Sequence, residues 1–323
     1  MPDQPHKTAE GLPDRETAVG LLRQMIAIRR FEERVVQIYP TDVMVTPVHL
    51  HTGQEAVPVG VCSQLTAADT IFFSHRTHGP ALAKGMPMKL LMAELYGRTT
   101  GCSRGYGGSM HVIDPPHGML GSSSIVGGSI ALGVGSALAS RLQGAEWIAV
   151  SYFGDGATDA GIFWESLNIA ALKKAPVLFV CEDNALSNVM SKSDHLFVDP
   201  SDIAEHFMPV WRADGTDCLS VYWSAQEAVA TVRSRRLPAF LHCRTKRWMK
   251  HQGVEWDDLE FNPVDVKTDC PICKLQDRLL AGGLIRPDEI DAIVADVDRE
   301  IDEAVAFAKA GPLPQPGDLV REV

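Results

Sequence analysis

The sequence predicts an α/β fold in which a mostly parallel sheet is flanked by helices. Its clearest signature is a central run of four segments: WIAVSYF (147–153), GDGATDA (154–160), GIFWESLNIAALKK (161–174) and PVLFVCEDN (176–184). An apolar strand, a polar loop, an amphipathic helix and a second apolar strand form a right-handed crossover between parallel strands. A hydrophobic content of 45% over 323 residues supplies enough apolar surface for a large core.

Composition excludes several classes of function. The chain has 41 acidic and 30 basic residues, a net charge of −11 and no long basic run, so nucleic acid is not an expected partner. No stretch of about 18 apolar residues predicts a membrane span, and the first residues lack the apolar core of a signal peptide. Seven scattered cysteines indicate reduced thiols, and we expect a cytoplasmic protein.

Three regions follow from the patterns along the chain. Residues 1–40 form a predicted N-terminal helical extension, because apolar residues recur at helical spacing from Asp14 to Tyr39. Residues 41–265 form the predicted central domain, in which VYWS (221–224) is a short element before a helix and PAFLHCRT (238–245) is a further parallel strand. Residues 266–323 form a predicted C-terminal helical extension.

A helix predicted over GGSIALGVGSALASR (127–141) has one face of small residues. Gly127, Ala131, Gly135 and Ala139 are four apart, so another backbone can approach this face closely. The pattern fits tight packing on the protein's own sheet and an interface between subunits equally well.

Asp155 and Asn184 predict a metal site. Each follows one strand of the crossover unit, and adjacent parallel strands end at the same edge of a sheet roughly 5 Å apart. A carboxylate and an amide oxygen suit Mg²⁺, which commonly keeps phosphate oxygens in its coordination shell. Gly154 and Gly156 would let a diphosphate approach the backbone, although an aspartate between glycines is also ordinary turn chemistry.

Taken together, these motifs resemble the alpha subunits of thiamine-diphosphate-dependent 2-oxo acid dehydrogenases, including pyruvate and acetoin dehydrogenases. The resemblance covers nearly the whole chain. It is carried by GDG at 154–156 with the following asparagine, and by HLHTGQEA (49–56), HRTHG (75–79), YGRTTG (96–101), GGSMH (107–111), GMLGSSSIVG (118–127) and ESLNIAAL (165–172). It implies the thiamine-diphosphate-binding fold, with thiamine diphosphate and Mg²⁺ as cofactors.

The resemblance also implies roles for individual residues. Asp155, Asn184 and the backbone carbonyl of Leu186 would ligate Mg²⁺. Arg76 would pair with the diphosphate, and His78 and His251 would be catalytic. The remaining implied cofactor contacts are His49, His75, Ser124, Val126, Gly156, Ala157 and, again, His251.

Three positions depart from the family pattern. His75 stands where the family usually has an aromatic residue, Leu186 where it has a tyrosine, and Ser124 where it has a glycine. The segment RTKRWMKHQG (244–253), which contains His251, also differs from the family's loop.

The implied function is that of the alpha subunit of a 2-oxo acid or acetoin dehydrogenase that transfers an acyl group to a lipoyl-bearing acyltransferase. A separate beta subunit would supply the glutamate that activates the cofactor's pyrimidine ring, within an alpha-beta heterotetramer. Alternatives are a split transketolase-like enzyme and a cofactor-binding homologue without catalysis. The pair CPIC (270–273) also resembles half a zinc site or a redox pair.

Overall fold

A computed structural model describes residues 11–44 and 46–320 of the chain. Residues 1–10 and 321–323 of the predicted terminal extensions lie outside the described residues. The helices are α1 (Arg15–Ile38), α2 (Ala56–Cys62), α3 (His78–Ala83), α4 (Met88–Leu95), α5 (Gly128–Leu142), α6 (Gly161–Lys173), α7 (Lys192–His195), α8 (Pro200–Ala204), α9 (Cys218–Arg235), α10 (Val266–Asp269), α11 (Pro271–Ala281) and α12 (Pro287–Ala310). The strands are β1 (Thr70–Phe73), β2 (Met119–Ser122), β3 (Ala149–Gly154), β4 (Val177–Asp183), β5 (Leu186–Ser187), β6 (Met190–Ser191), β7 (Val210–Asp214) and β8 (Ala239–Arg244).

Six of these strands form one parallel sheet, in the order β2, β1, β3, β4, β8, β7. The predicted α/β fold is therefore confirmed. The central strands are buried on both faces, which explains why β4 reads as an almost continuous apolar run. The remaining two strands, β5 and β6, form a small antiparallel hairpin directly after β4.

Helices cover both faces of the sheet, so the apolar side chains separate into two cores. Alternate residues along β4 point to opposite faces: Leu178 and Val180 belong to the larger core, and Phe179 and Cys181 to the smaller one. The smaller core lies beneath α5 and α6 and is rich in phenylalanine. The larger core lies beneath α2 and α9 and continues to the terminal helices α1, α11 and α12.

The N-terminal helix begins and ends as the sequence predicts. Asp14 is the N-cap of α1, and its carboxylate accepts a hydrogen bond from the Thr17 backbone N–H at 2.9 Å. Leu22, Met25 and Phe31 are fully buried and join the larger core. The three-region division at residues 40 and 265 stays a prediction, because α1 and α12 share this core with the sheet.

The prediction of a separate short element at VYWS (221–224) is wrong. These residues lie inside α9, which begins after Asp217, whose carboxylate accepts the Leu219 N–H at 3.0 Å. Val221 packs so closely on α2 that a side chain at Gly60 would meet its Cγ1 at 2.7 Å. Tertiary packing thus overrides the strand preference of a short β-branched and aromatic segment. The neighbouring strand β7 has no counterpart in the predicted elements.

The small residues of α5 do not all face the sheet. Gly133, outside the predicted stripe, makes the close approach: a Cβ there would lie 2.0 Å from Ser151 Oγ. Gly135 has open space beside it, and the neighbouring Leu132 and Leu142 are exposed. Packing on the protein's own sheet therefore does not account for the predicted small-residue face.

No helix in the described ranges is long and apolar enough to cross a membrane.

Asp69 joins the beginning of the sheet to α9, and we expect Asp69→Ala to destabilise the protein by about 3 kcal/mol. Its fully buried carboxylate accepts N–H groups of Thr66 and Ile148 and forms an ion pair with Arg233 at 2.7 Å. Urea unfolding measures the effect. Asp291→Ala on the exposed face of α12 is the control and should change the unfolding free energy by less than about 0.5 kcal/mol.

Candidate functional site

The site lies at the end of the two central strands. In the β3–β4 pair, Gly154 lies opposite Glu182, so Asp155 and Asn184 follow neighbouring parallel strands at the same edge of the sheet. This is the arrangement that the spacing predicts. Such an edge is where open α/β sheets bind ligands.

A cavity opens at this edge. Nine of the predicted site residues line it: His75, Arg76, Val126, Asp155, Gly156, Ala157, Asn184, Leu186 and His251. The cavity also has polar lining residues that the sequence did not single out, including Gln54, Glu182, Ser187, Asn188 and Arg247.

Asp155 is a buried carboxylate without a partner. It is 1% exposed, and neither of its carboxylate oxygens has a hydrogen-bond partner among the described residues. Burial, with a smaller contribution from the neighbouring Asp183, raises the pKa of Asp155 to about 8. Because an unpaired buried charge is costly, this carboxylate fits a bound cation.

Asn184 is held in one orientation by its neighbours. Its side-chain amide donates to Gln54 Oε1 at 3.0 Å, and its Oδ1 accepts the Leu186 N–H at 3.2 Å. Gln54 is fixed in turn by Thr245, whose hydroxyl donates to Oε1 at 2.9 Å. The amide oxygen and the Asp155 carboxylate are therefore oxygen donors of the kind that Mg²⁺ prefers.

Gly156 packs closely against a residue that the sequence did not single out. A Cβ at Gly156 would lie 2.6 Å from Ser187 Oγ, so the hairpin of β5 and β6 occupies that side of the loop. Gly154 is less constrained, since a Cβ there would meet Glu182 O at 3.9 Å. The predicted loop contains a 3₁₀ turn (Asp155–Asp159), and α6 begins after it at Gly161, as the sequence predicts.

Two arginines give the cavity an anion-binding side. The guanidinium of Arg76 is 9% exposed and donates to the Leu50 carbonyl. Burial and the nearby Arg247 lower the pKa of Arg76 to about 10. Arg247 is held by Asp257, to which its Nε donates at 3.0 Å. A buried guanidinium whose charge is thus disfavoured is well suited to an anion such as a diphosphate.

Three histidines meet beside Arg76. The ring centroids of His49 and His75 are 4.7 Å apart, and those of His49 and His251 are 5.1 Å apart. Burial and the charge of Arg76 lower the pKa of His49 to about 3, that of His75 to about 2 and that of His251 to about 4. The imidazoles are therefore neutral at pH 7 and can donate N–H groups to an anion.

The loop that carries His251 docks onto the chain near His49. The backbone N–H of Gly253 donates to the Val48 carbonyl at 2.9 Å, and His49 forms an isolated β-bridge with Gly253. His251 thereby reaches the cavity even though the sequence around it departs from the family pattern.

Three predicted residues lie apart from the cavity lining: His78, Ser124 and His49, the last of which packs against His75 and His251. His78 is fully buried, and its ring nitrogens are bonded to Glu32 Oε2 and Ser109 Oγ, both at 2.9 Å. These bonds tie α1 to the loop after α4, so the placement gives no support to a catalytic role for His78. Ser124 is partly buried near Val126 but does not line the cavity, and its predicted cofactor contact stays a prediction.

The pair Cys270 and Cys273 has a local structural role. Cys270 is the N-cap of α11, and its Sγ accepts the backbone N–H of Cys273 at 3.4 Å. Neither thiol belongs to a cluster of three or more candidate metal ligands in the described part of the chain.

Comparisons with known proteins agree with this geometry. A family model described as Dehydrogenase E1 component matches residues 23–317. The alpha subunit of the acetoin:2,6-dichlorophenolindophenol oxidoreductase of Bacillus subtilis is 35% identical over 320 residues, covering 95% of this chain and 93% of that protein. Its namesake from Cupriavidus necator is 36% identical over 317 residues, covering 96% and 95%. The alpha subunit of the pyruvate dehydrogenase E1 component of Zymomonas mobilis is 34% identical over 318 residues, covering 96% and 89%.

Asp155→Asn should stabilise the metal-free protein at alkaline pH. The folded-state pKa of about 8 lies above the unfolded value near 4, so the folded protein binds the extra proton and loses stability as pH rises through this range. We expect the variant to gain about 2–3 kcal/mol relative to the unmutated chain between about pH 5.5 and pH 8. Urea unfolding in chelator measures it, and a difference that does not change with pH would contradict the assignment.

Proposed function

Because this chain belongs to the dehydrogenase E1 component family, we propose that it is the alpha subunit of a thiamine-diphosphate-dependent 2-oxo acid or acetoin dehydrogenase. The observation that carries the proposal is the pairing of two unlike sites in one cavity. The unpartnered carboxylate of Asp155 suits a cation, and the buried guanidinium of Arg76 suits an anion. A diphosphate with bound Mg²⁺ presents both the cation and the anion that these two sites would bind.

We assign the metal to Asp155, Asn184 and the backbone carbonyl of Leu186. All three residues line the cavity, and all three are at most 7% exposed. Gln54 positions the proposed ligand Asn184 by accepting its amide N–H, and the amide oxygen, which accepts the Leu186 N–H, keeps a second lone pair for the metal. The diphosphate would lie between this metal and Arg76, with Gly156 and Ala157 as backbone contacts.

Thiamine diphosphate, when bound, supplies the electron sink for cleaving the bond beside an oxo group. The protein's part is to bind and orient the cofactor and the substrate. His49, His75 and His251 are neutral N–H donors beside Arg76, and we propose that they orient the diphosphate and line the path of the substrate. His251 is the proposed catalytic histidine, acting as a neutral hydrogen-bond donor to the substrate, because it lines the cavity and His78 does not.

A beta subunit is the proposed partner, and the exposed apolar surface supports an assembly of several chains. Glu55, an acidic residue of the GQEA motif, is unable to activate the pyrimidine ring, because it is fully buried and paired with Arg29 at 2.5 Å.

Large apolar side chains are exposed on α5, on α6 and around the β5–β6 hairpin: Leu132, Leu142, Ile169, Leu172, Val189, Met190 and Phe197. An alpha-beta heterotetramer would cover such surfaces.

The acceptor of the acyl group is proposed to be a lipoyl-bearing acyltransferase, and the substrate a small 2-oxo acid or acetoin. A cytoplasmic location is proposed on the state of the thiols, since all seven cysteines are unpaired.

Thiamine diphosphate should bind only with magnesium, and Asp155→Ala should weaken that binding at least tenfold. The reason is that the variant removes the one carboxylate among the proposed metal ligands. Calorimetric titration of the chain with a candidate beta subunit, in magnesium and in chelator, makes the measurement. Asp291→Ala is the matched control on α12. Thiamine diphosphate binding that is unchanged by chelator and unchanged by Asp155→Ala would refute the proposed metal site.

Turnover should require the beta subunit and should consume 2-oxo acids or acetoin. We expect dye reduction with pyruvate or acetoin when both chains are present and less than about one hundredth of that rate with this chain alone. Product analysis with sugar phosphates distinguishes a transketolase-like enzyme. Transfer of ketol units between sugar phosphates, without dye reduction, would replace the proposed function, and inactivity with every substrate despite bound cofactor would indicate a non-catalytic homologue.

A further inference from the structure

The proposed metal ligands lie on a segment whose conformation needs support from outside. Residues 184–191, here called the metal loop, run from the end of β4 through the β5–β6 hairpin. Ala185 and Asn188 have positive φ angles of 62° and 56°, a conformation that non-glycine residues adopt at a cost. The loop is nevertheless one wall of the cavity, through Leu186, Ser187 and Asn188.

Lys192 closes this loop at its base. Its ammonium contacts Asp183 Oδ2 and lies 2.8 Å from Asp199 Oδ2, and its own backbone N–H donates to the Ala185 carbonyl at 3.0 Å. Asp183, the residue before Asn184, also accepts the Ala185 N–H at 3.0 Å. The two ends of the metal loop are thus joined by the Lys192–Asp183 ion pair and by the backbone hydrogen bond from Lys192 to Ala185.

The bridge is anchored to the sheet as well. His242 on β8 contacts Asp183 Oδ2 through its Nε2 at 2.7 Å, so Asp183 keeps a partner even without Lys192. Lys192 also hydrogen-bonds Asp199, at the beginning of α8, whereas His242 Nδ1 lies 3.8 Å from Asp199 Oδ1, beyond hydrogen-bond distance. The ion pairs of Lys192 therefore stabilise the metal loop and the beginning of α8 more than they stabilise strand β4.

We propose that Lys192 is a positioning residue for the metal site: its bridge between Asp183 and Asp199 holds the metal loop so that Asn184 and Leu186 present their oxygens to Mg²⁺. The inference rests on the proposed function, because it concerns the same metal. Lys192 does not line the cavity, and it would act through Asp183 and the loop backbone.

The sign of one measurement separates positioning from a simple effect of charge. Lys192 is a cation close to the proposed metal ligands, so its charge alone repels Mg²⁺. Removing that charge without disturbing the loop would tighten Mg²⁺ binding. Removing the bridge releases the loop, and then Mg²⁺ binding weakens despite the lost repulsion.

The experiment is a Mg²⁺ titration of thiamine diphosphate binding by calorimetry, with the candidate beta subunit present, and a parallel titration with Mn²⁺ followed by electron paramagnetic resonance. We expect Lys192→Met to raise the half-saturating Mg²⁺ concentration at least tenfold. Lys192→Arg, which keeps the charge and a donor for both carboxylates, should stay within about threefold. Lys173→Met, at an exposed lysine in the last turn of α6, is the matched control.

Lys192→Gln provides a second route to the same end if Lys192→Met fails to fold, because it also removes the charge and keeps a polar side chain. Asp199→Asn, at a carboxylate that is 23% exposed, should also weaken Mg²⁺ binding, but it removes an anion and therefore does not separate charge from positioning by itself. Combining Lys192→Met with Asp199→Asn should cost less than the sum of the two single effects, because both break one bridge. Circular dichroism verifies that each variant is folded.

Unchanged or tighter Mg²⁺ binding by folded Lys192→Met overturns this inference alone, provided that the unmutated protein shows magnesium-dependent binding. If the unmutated protein shows none, the proposed function fails and this inference fails with it.

Discussion

The register between β3 and β4 is the constraint on which the site depends. Parallel pairing opposes Gly154 to Glu182, and this fixes Asp155 and Asn184 at the same edge although they are far apart in sequence. A shift of one residue would turn Phe179 and Val180 to the wrong faces of the sheet, so the two cores enforce the register. The apolar packing of the strands thereby determines the geometry of polar groups that contribute nothing to the core.

Within that frame, Asp155 differs from the other buried acidic groups near it. Asp183 is bound by Lys192 and His242, and Glu182 by His51 at 2.9 Å, whereas both oxygens of Asp155 lack a partner in the described chain. Burying a carboxylate without a hydrogen-bond partner costs free energy. Because the nearby carboxylates all have partners, the cost at Asp155 indicates a functional position. This contrast is what distinguishes a proposed ligand from a structural carboxylate.

The sequence predicted the parts of the site that are local in the chain. Asp155 and Asn184 were found because one strand–helix–strand unit contains both, and Arg76 because its motif resembles the family. Gln54 was missed, since its role depends on hydrogen bonds to Asn184 and Thr245, 130 and 191 residues away. Such contacts leave no periodic signal in the sequence. Glu182 was also missed, although the sequence marks it in another way: a carboxylate within an apolar strand is costly unless it has a partner or a function.

The charges in the cavity explain why metal and diphosphate should bind together. Mg²⁺ alone would satisfy Asp155 but add positive charge beside Arg76 and Arg247, and a diphosphate alone would satisfy the arginines but leave the Asp155 carboxyl without a partner. The three histidines are neutral and offset neither. Each ion therefore lowers the cost of binding the other, which is positive coupling between two ligands and is reciprocal by thermodynamic necessity. The charges on both sides of the cavity are balanced only when Mg²⁺ and the diphosphate are bound together.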